Sequence, residues 1–271
     1  MKKYAFTYSV HQTFSSPITK HNFLLRCMPG TYPFQRSYAQ KLTVTPYTAM
    51  NCISDVFGNG MYTGTVDKKH TEFTVTATGF VLCSKYLIHE PLDRIYLYPT
   101  RLTRPTREME RILESASLSE DPWNRALQLC DLVHRSMTHI PAATDSTPNR
   151  TAAEALSSGR GDARDLSHVL LTLLRLSGIA ARFVGGLAVG VPQGHSWVEV
   201  YCGDVWRALD PTTGGVVEEA YLKIANGPDR GACAKTRDVF RDPTGTVTQT
   251  REFTAQVTEH VIRIRDTVPR A

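Results

Sequence analysis

The chain has 271 residues, 41% hydrophobic and 21% charged, enough to bury one large core or two modest ones without disulfides or metals. Its net charge of +5 is spread along the chain, and the densest basic stretch (Arg101, Arg104, Arg107, Arg111) is interleaved with Glu108, Glu110 and Glu114. That pattern reads as a solvated, ion-paired helix face, more diluted by acids than a nucleic-acid stripe, and no nucleic-acid partner is expected. No segment approaches the roughly 18 apolar residues of a membrane helix. The opening "MKKYAFTYSVHQTF" has two lysines but no apolar run behind them, so neither a signal peptide nor a membrane partner is expected, and a cytoplasmic protein is. Six cysteines at 27, 52, 83, 130, 202 and 233 show no CxxC pair and no histidines at zinc-ligand spacing. They read as scattered, buried, reduced thiols, with no metal and no cofactor.

Residues 1–100 are expected to form a β-rich, sandwich-like module. "KLTVT" (41–45) and "EFTVTATGFVL" (72–82) alternate apolar and polar positions, which puts Leu42 with Val44 and Phe73 with Val75 on single faces. Between them "DVFGNGMYTG" is turn chemistry, since Gly58, Gly60 and Gly64 lack the spacing of a dinucleotide loop. Composition changes near "YPTRLTRP" (98–105), and residues 101–271 are taken as a second unit.

Helical periods follow. "DPWNRALQLCDLVHRSM" offers Asp121 as N-cap and Pro122 at the first helical position, with Trp123, Ala126, Leu127, Cys130 and Met137 on one stripe. "TAAEALSSG" has the capping-box pair Thr151 and Glu154 and stops at Gly159. A third helix is expected from about Asp162 to Ser177, with Leu166, Val169, Leu170, Leu173 and Leu174 on its inner face and Gly178 as the stop. Strands then take over at 181–189, 195–202, 205–210 and 252–264.

The hairpin between the second and third of these strands carries the chemistry. Gly203-Asp204 is a two-residue turn signal. That turn sets Cys202 opposite Val205 and Asp210 opposite Trp197, so His195 and Asp210 become diagonal neighbours on one face. A carboxylate so placed can fix the imidazole tautomer and stabilise the imidazolium. A half-buried histidine and a strand-ending aspartate before Pro211 explain the same residues without chemistry.

The start of the third helix completes a layout. Free N–H groups and the positive end of the helix dipole would depress the pKa of a thiol just after Asp162, and a backbone N–H there could stabilise an oxyanion. The residue standing there is Ala163. Ser167, one turn on, reads as a packing or backbone-bonding serine. His168 lies about 140° round the helix from Ala163 and reads as a packing histidine. Asp165 reads as support for the helix start, and Trp197 and Trp206 as core or site wall. Cys202 points to the opposite strand face from His195 by parity.

"GRGDARDLSHVLLTLLRLSGIAARFVGGLAV", "HSWVEVY" and "WRALDPT" resemble the core of transglutaminase-like cysteine enzymes, in the papain-like superfamily where Cys, His and Asp occur in that order. The family cysteine falls on Ala163, its histidine on His195 and its aspartate on Asp210. Residues 1–100, with "ITKHNFLLRCMP", "LTVTP" and "DVFGN", are similar to the β-rich domain preceding the core in many bacterial members, and "AYLKIANGPDRGACAKTRDVFR" (220–241) is similar to the segment after the active-site strands. The resemblance implies an α+β fold in which a nucleophile helix packs on an antiparallel sheet. It also implies thiol acyl transfer on a peptide or side-chain amide, with hydrolysis ahead of ligation or cross-linking. Alanine cannot attack an acyl carbon, so the chain as written is expected to be inert by that route. A Cys-to-Ala substitution is the favoured reading, because His195 and Asp210 persist. A natural pseudoenzyme that binds peptides is the alternative.

Overall fold

A computed structural model describes residues 1–141 and 150–260. In chain order the strands are β1 (Lys2–Leu25), β2 (Gln35–Thr45), β3 (Met50–Ser54), β4 (Gly60–Val66), β5 (His70–Cys83), β6 (Thr138–His139), β7 (Arg160–Gly161), β8 (Ala181–Ala188), β9 (His195–Cys202), β10 (Val205–Asp210), β11 (Gly215–Val216), β12 (Tyr221–Gly227), β13 (Thr236–Arg241) and β14 (Gln249–His260). The helices are α1 (Arg107–Ser115), α2 (Pro122–Ser136), α3 (Ala152–Ser158) and α4 (Ala163–Leu176).

The β-rich expectation for the first hundred residues is met around a strand the alternation search missed. β1 buries Tyr4, Phe6, Tyr8, Val10, Gln12 and Phe14 at even positions, then His21, Phe23 and Leu25 at odd ones. A one-residue slip moves every side chain to the other face, and here irregularities between Thr13 and Ile18 and between Thr19 and Asn22 supply it. The front half of β1 pairs β5 and β14, its rear half β4 and β13, and the seven-stranded sheet curls about that bend.

One grouping differs from the sequence reading. The C-terminal strands were placed with residues 101–271, yet β13 and β14 both pair with β1. The first sheet is therefore built from both ends of the chain. Residues 261–264 of the expected last strand lie outside the described residues.

The second sheet is antiparallel in the order β11-β10-β9-β8-β12. Helix α4 lies across β8 and β9, burying Leu166, Val169, Leu170, Leu173 and Leu174 as its periodicity predicts. In the same core are Val198, Val200 and Leu209 from the sheet. A second core gathers Trp197, Trp206 and Ala208 with Phe34, Tyr86 and Tyr96. α2 starts at Asp121 and Pro122 as expected. Its buried stripe runs through Ala126, Leu129, Cys130 and Val133, with Trp123 and Leu127 only partly covered. Arg107 and Arg111 of the basic stretch lie on helix α1, where Glu108, Glu110 and Glu114 are exposed with them, whereas Arg101 and Arg104 precede the helix. The ion pairs expected among them are absent among the described residues. All six cysteines are free thiols, and only Cys52 is exposed.

Candidate active site

The β9–β10 hairpin has the register read from its turn. Gly203 and Asp204 both take positive φ (62° and 60°), the conformation a tight primed turn requires. Cys202 then faces Val205, and the ladder runs on to Val198 opposite Leu209. The next position sets Asp210 beside Trp197, and His195 Nε2 meets Asp210 Oδ2 at 2.6 Å. Both residues are buried.

Asp210 is held by more than the histidine. Oδ1 accepts from the Thr212 backbone N–H (2.8 Å) and hydroxyl (2.7 Å), and Oδ2 also accepts from the Tyr221 hydroxyl (2.8 Å). Burial acts against the charged carboxylate. The hydrogen bond and charge of His195, with the Thr212 donors, outweigh it and keep Asp210 below its ordinary range. Tyr221 is pushed far the other way, by burial first and then by Asp210, so its hydroxyl stays a donor at neutral pH. Its ring packs 5.7 Å from His195 and 5.3 Å from Trp197, and the imidazole stacks on Trp197 at 6.3 Å. Tyr221 was not singled out in sequence, because β12 reaches the site by pairing with β8 and no local spacing connects it to Asp210.

Sign and size follow for one substitution. Tyr221→Phe removes a donor worth about 1.5–3 kcal/mol to a charged acceptor and leaves a cavity no larger than the lost oxygen. The Asp210 carboxyl should therefore titrate higher, by about one unit or more. Carboxyl NMR across the acid range checks it, and an unchanged Asp210 midpoint would remove Tyr221 from the site.

Position 163 is the first residue of α4, in the first turn as expected. Asp162 caps α4 by accepting from the N–H groups of Arg164 (2.8 Å) and Asp165 (3.2 Å). Asp165 returns the bond to the Asp162 N–H (3.3 Å) and takes Arg150 Nη1 at 3.2 Å, so it supports the helix start as expected. Gly161 is required there, since a Cβ would come within 2.5 Å of Asp165 Cβ. Ser167 Oγ donates to the Ala163 carbonyl at 2.6 Å, the backbone-bonding role read from sequence. His168 is fully buried against Phe183, where its Nε2 accepts from the Arg230 N–H at 3.2 Å. Burial drives its pKa down to about 4, so it packs rather than titrates in the neutral range.

Ala163, His195 and Asp210 line one cavity of about 620 Å³. His139, carried on β6 beside Gly161, reaches the same cavity. Burial and the neighbouring His195 hold His139 below the usual histidine range. Cys233 also lines it, but burial pushes that thiol far above its ordinary pKa, which disqualifies it as a nucleophile. β14 also lines the cavity, through Arg251, Glu252 and Phe253. Among the described residues no cluster of histidine, cysteine and carboxylate could hold a metal ion, and no helix is long and apolar enough to cross a membrane.

Residues 111–211 match the transglutaminase-like superfamily, and residues 4–82 match the bacterial transglutaminase-like N-terminal region. An uncharacterized protein of Mycobacterium leprae is 23% identical over 261 residues, covering 85% of this chain and 91% of its own. Another from Mycobacterium tuberculosis is 25% identical over 268 residues, covering 84% of each. A candidate cysteine protease from Cytophaga hutchinsonii superposes with a TM-score of 0.81 at 20% identity, covering 97% of this chain and 92% of that one. The fold is thus α+β, a transglutaminase-like core behind a curled β-rich N-terminal region.

Proposed function

We propose that the cavity is a thiol acyl-transfer site for peptide or side-chain amides in which Ala163 stands at the nucleophile's position. The His195–Asp210 pair carries this reading: a buried imidazole tied at Nε2 at 2.6 Å leaves Nδ1 as the nitrogen for a proton transfer. A thiol at position 163 would sit at a capped helix N-terminus, where the dipole and free N–H groups favour a thiolate and then an oxyanion. Attack would form a thioester and release the amine with a proton from the imidazolium, and water or a second amine would resolve it. Hydrolysis is the leading outcome and ligation the second, since access of water decides between them.

As written, the chain binds an amide substrate and does not turn it over. The persistence of His195, Asp210 and the three further donors on that carboxylate supports a site from which a thiol has been replaced, over one long given up to binding alone. The free thiols support a reducing compartment. The experiment is Ala163→Cys with an activated ester such as p-nitrophenyl acetate, followed by intact mass. An acetyl adduct that maps to position 163 and disappears in Ala163→Cys/His195→Ala bears the reading out, and no adduct at 163 in a folded protein overturns it.

A further inference from the structure

One stretch of the cavity wall is unusual in one respect. Arg251, Glu252 and Phe253 are consecutive residues of β14, and all three line the cavity. Side chains alternate faces along a strand, so three neighbours in a row meet the cavity only if it approaches the strand from its edge. β14 is an edge strand: β1 is the one strand it pairs with among the described residues.

The direction of its backbone groups can be fixed. The register of β14 on β1 is unbroken from Gln249 to His260. Within an antiparallel ladder, residues alternate between pointing both N–H and C=O at the partner and pointing both away. The Ala255 N–H bonds the carbonyl of Pro192 at 2.9 Å, so Ala255 points away from β1. Phe253 and Arg251 are in phase with it and point the same way. Pro192 belongs to the segment 189–194 that joins β8 to β9 and runs along the cavity to His195. One rung of pairing on this edge is thus already made by the chain itself, and the next two rungs face the cavity.

We infer that the Arg251–Phe253 edge of β14 receives an extended peptide, which continues along the edge from the rung Pro192 makes. Strand addition gives affinity through main-chain bonds and leaves alternate side chains to set preference. Here those side chains would meet Val189, Val191, Pro192 and Ala220, which line the same cavity. The substrate class is an unfolded or terminal segment presented as a strand. A folded protein surface or a lone side-chain amide could not pair with the edge. The inference rests on the proposed function only in that the bound segment would lie in the cavity that position 163 lines.

The Ala163 protein itself is suited to the test, since it holds a substrate without consuming it. The probe is a peptic digest of reduced, carboxamidomethylated lysozyme, with native lysozyme as the folded control. Residue-resolved amide exchange by NMR is the readout. The digest should slow the Phe253 and Arg251 amides at least about tenfold, while Ala255, already bonded, and Glu252 and Thr254, which face β1, stay unchanged. Native lysozyme should do nothing. Phe253→Ala keeps the backbone and should retain the slowing at 251 and 253, whereas Phe253→Pro removes the rung without touching the β1 ladder and should abolish it.

No slowing with the digest, equal slowing with native lysozyme, or loss of the effect in Phe253→Ala overturns the inference. The two readings fail separately. Slowing without acylation of the Ala163→Cys variant removes the chemistry and keeps the peptide edge. Acylation without slowing does the reverse.

Discussion

In Ala163→Cys, the new thiol is expected to react with iodoacetamide ahead of all six native cysteines near neutral pH. Burial raises Cys27, Cys83 and Cys130 to about 12 and Cys202 to about 11, and pushes Cys233 higher still. The exposed Cys52 is the one fair competitor, and it has no helix terminus or imidazole beside it in this fold. A thiol at 163 would stand at the α4 terminus in the cavity that His195 lines, so its pKa should fall well below the usual value of about 8.5. His195→Ala in that background should remove most of the acceleration, because members of such a unit fail together. Mass mapping after brief labelling gives the answer. Reaction at 163 no faster than at Cys52, with the fold intact, leaves the binding-only reading standing.

Asp210→Asn in the same background should cost more than its size suggests. Four donors converge on the carboxylate, two on each oxygen. If the amide nitrogen takes the Oδ1 place it meets the Thr212 backbone N–H, which cannot accept a bond. If it takes the Oδ2 place it forces His195 Nε2 to become an acceptor. That moves the ring proton to Nδ1, the nitrogen needed as a base. A wrong tautomer of this kind costs roughly 10⁴ in turnover in a serine triad, and a loss of that order is expected in ester hydrolysis. A fall of less than about tenfold would mean that Asp210 orients nothing.

What the sequence made legible was local. A two-residue turn fixed a hairpin register, and that register brought His195 to Asp210. Capping patterns placed the starts of α2 and α3 to the residue, and periodicity put the start of α4 at about Asp162. What it hid was non-local. β1 escaped notice because Gln12 and His21 stand at buried positions of its apolar faces and because its parity flips midway. β14 looked like an appendage of the second half until its pairing with β1 made it a wall of the cavity. Tyr221 and His139 reach the site through pairings with other strands, and no spacing within one element marks such residues.

The largest stability effect is expected at a residue with no part in the chemistry. Glu199 is fully buried on β9, where it accepts from Lys223 Nζ (2.7 and 2.9 Å), from the Tyr86 hydroxyl (2.5 Å) and from Arg182 Nε. Arg182 also reaches the partly exposed Glu90 at 3.1 Å. Burial opposes the charge on Glu199, but the two cations and their hydrogen bonds win and hold it at about 2. Burial and the nearby Arg182 outweigh the attraction of Glu199 on Lys223 and bring that amine down to about 8. Tyr86 ties the cluster to the Trp197 indole at 3.1 Å, and through Gln35 the first hundred residues bond the Lys223 backbone. Glu199→Gln strands two buried cations, a change that costs about 3–5 kcal/mol against a total stability of roughly 5–15. Glu90→Gln, at an exposed partner, should cost about 1 kcal/mol or less. The pH dependence carries a sign. The Glu199 carboxylate titrates lower folded than unfolded, so its contribution is present above about 4.3 and is lost as pH falls towards 2. Lys223 titrates lower folded than unfolded as well, so the unfolded chain binds more protons and stability rises with pH between about 8 and 10.4. In Glu199→Gln the acid loss should shrink and the alkaline rise begin at lower pH, because Glu199 no longer holds the proton on Lys223. Urea unfolding of both proteins from pH 3 to 10 measures each limb. A Glu199→Gln protein within about 1 kcal/mol of the parent at neutral pH would show that the buried quartet does not hold the two halves together.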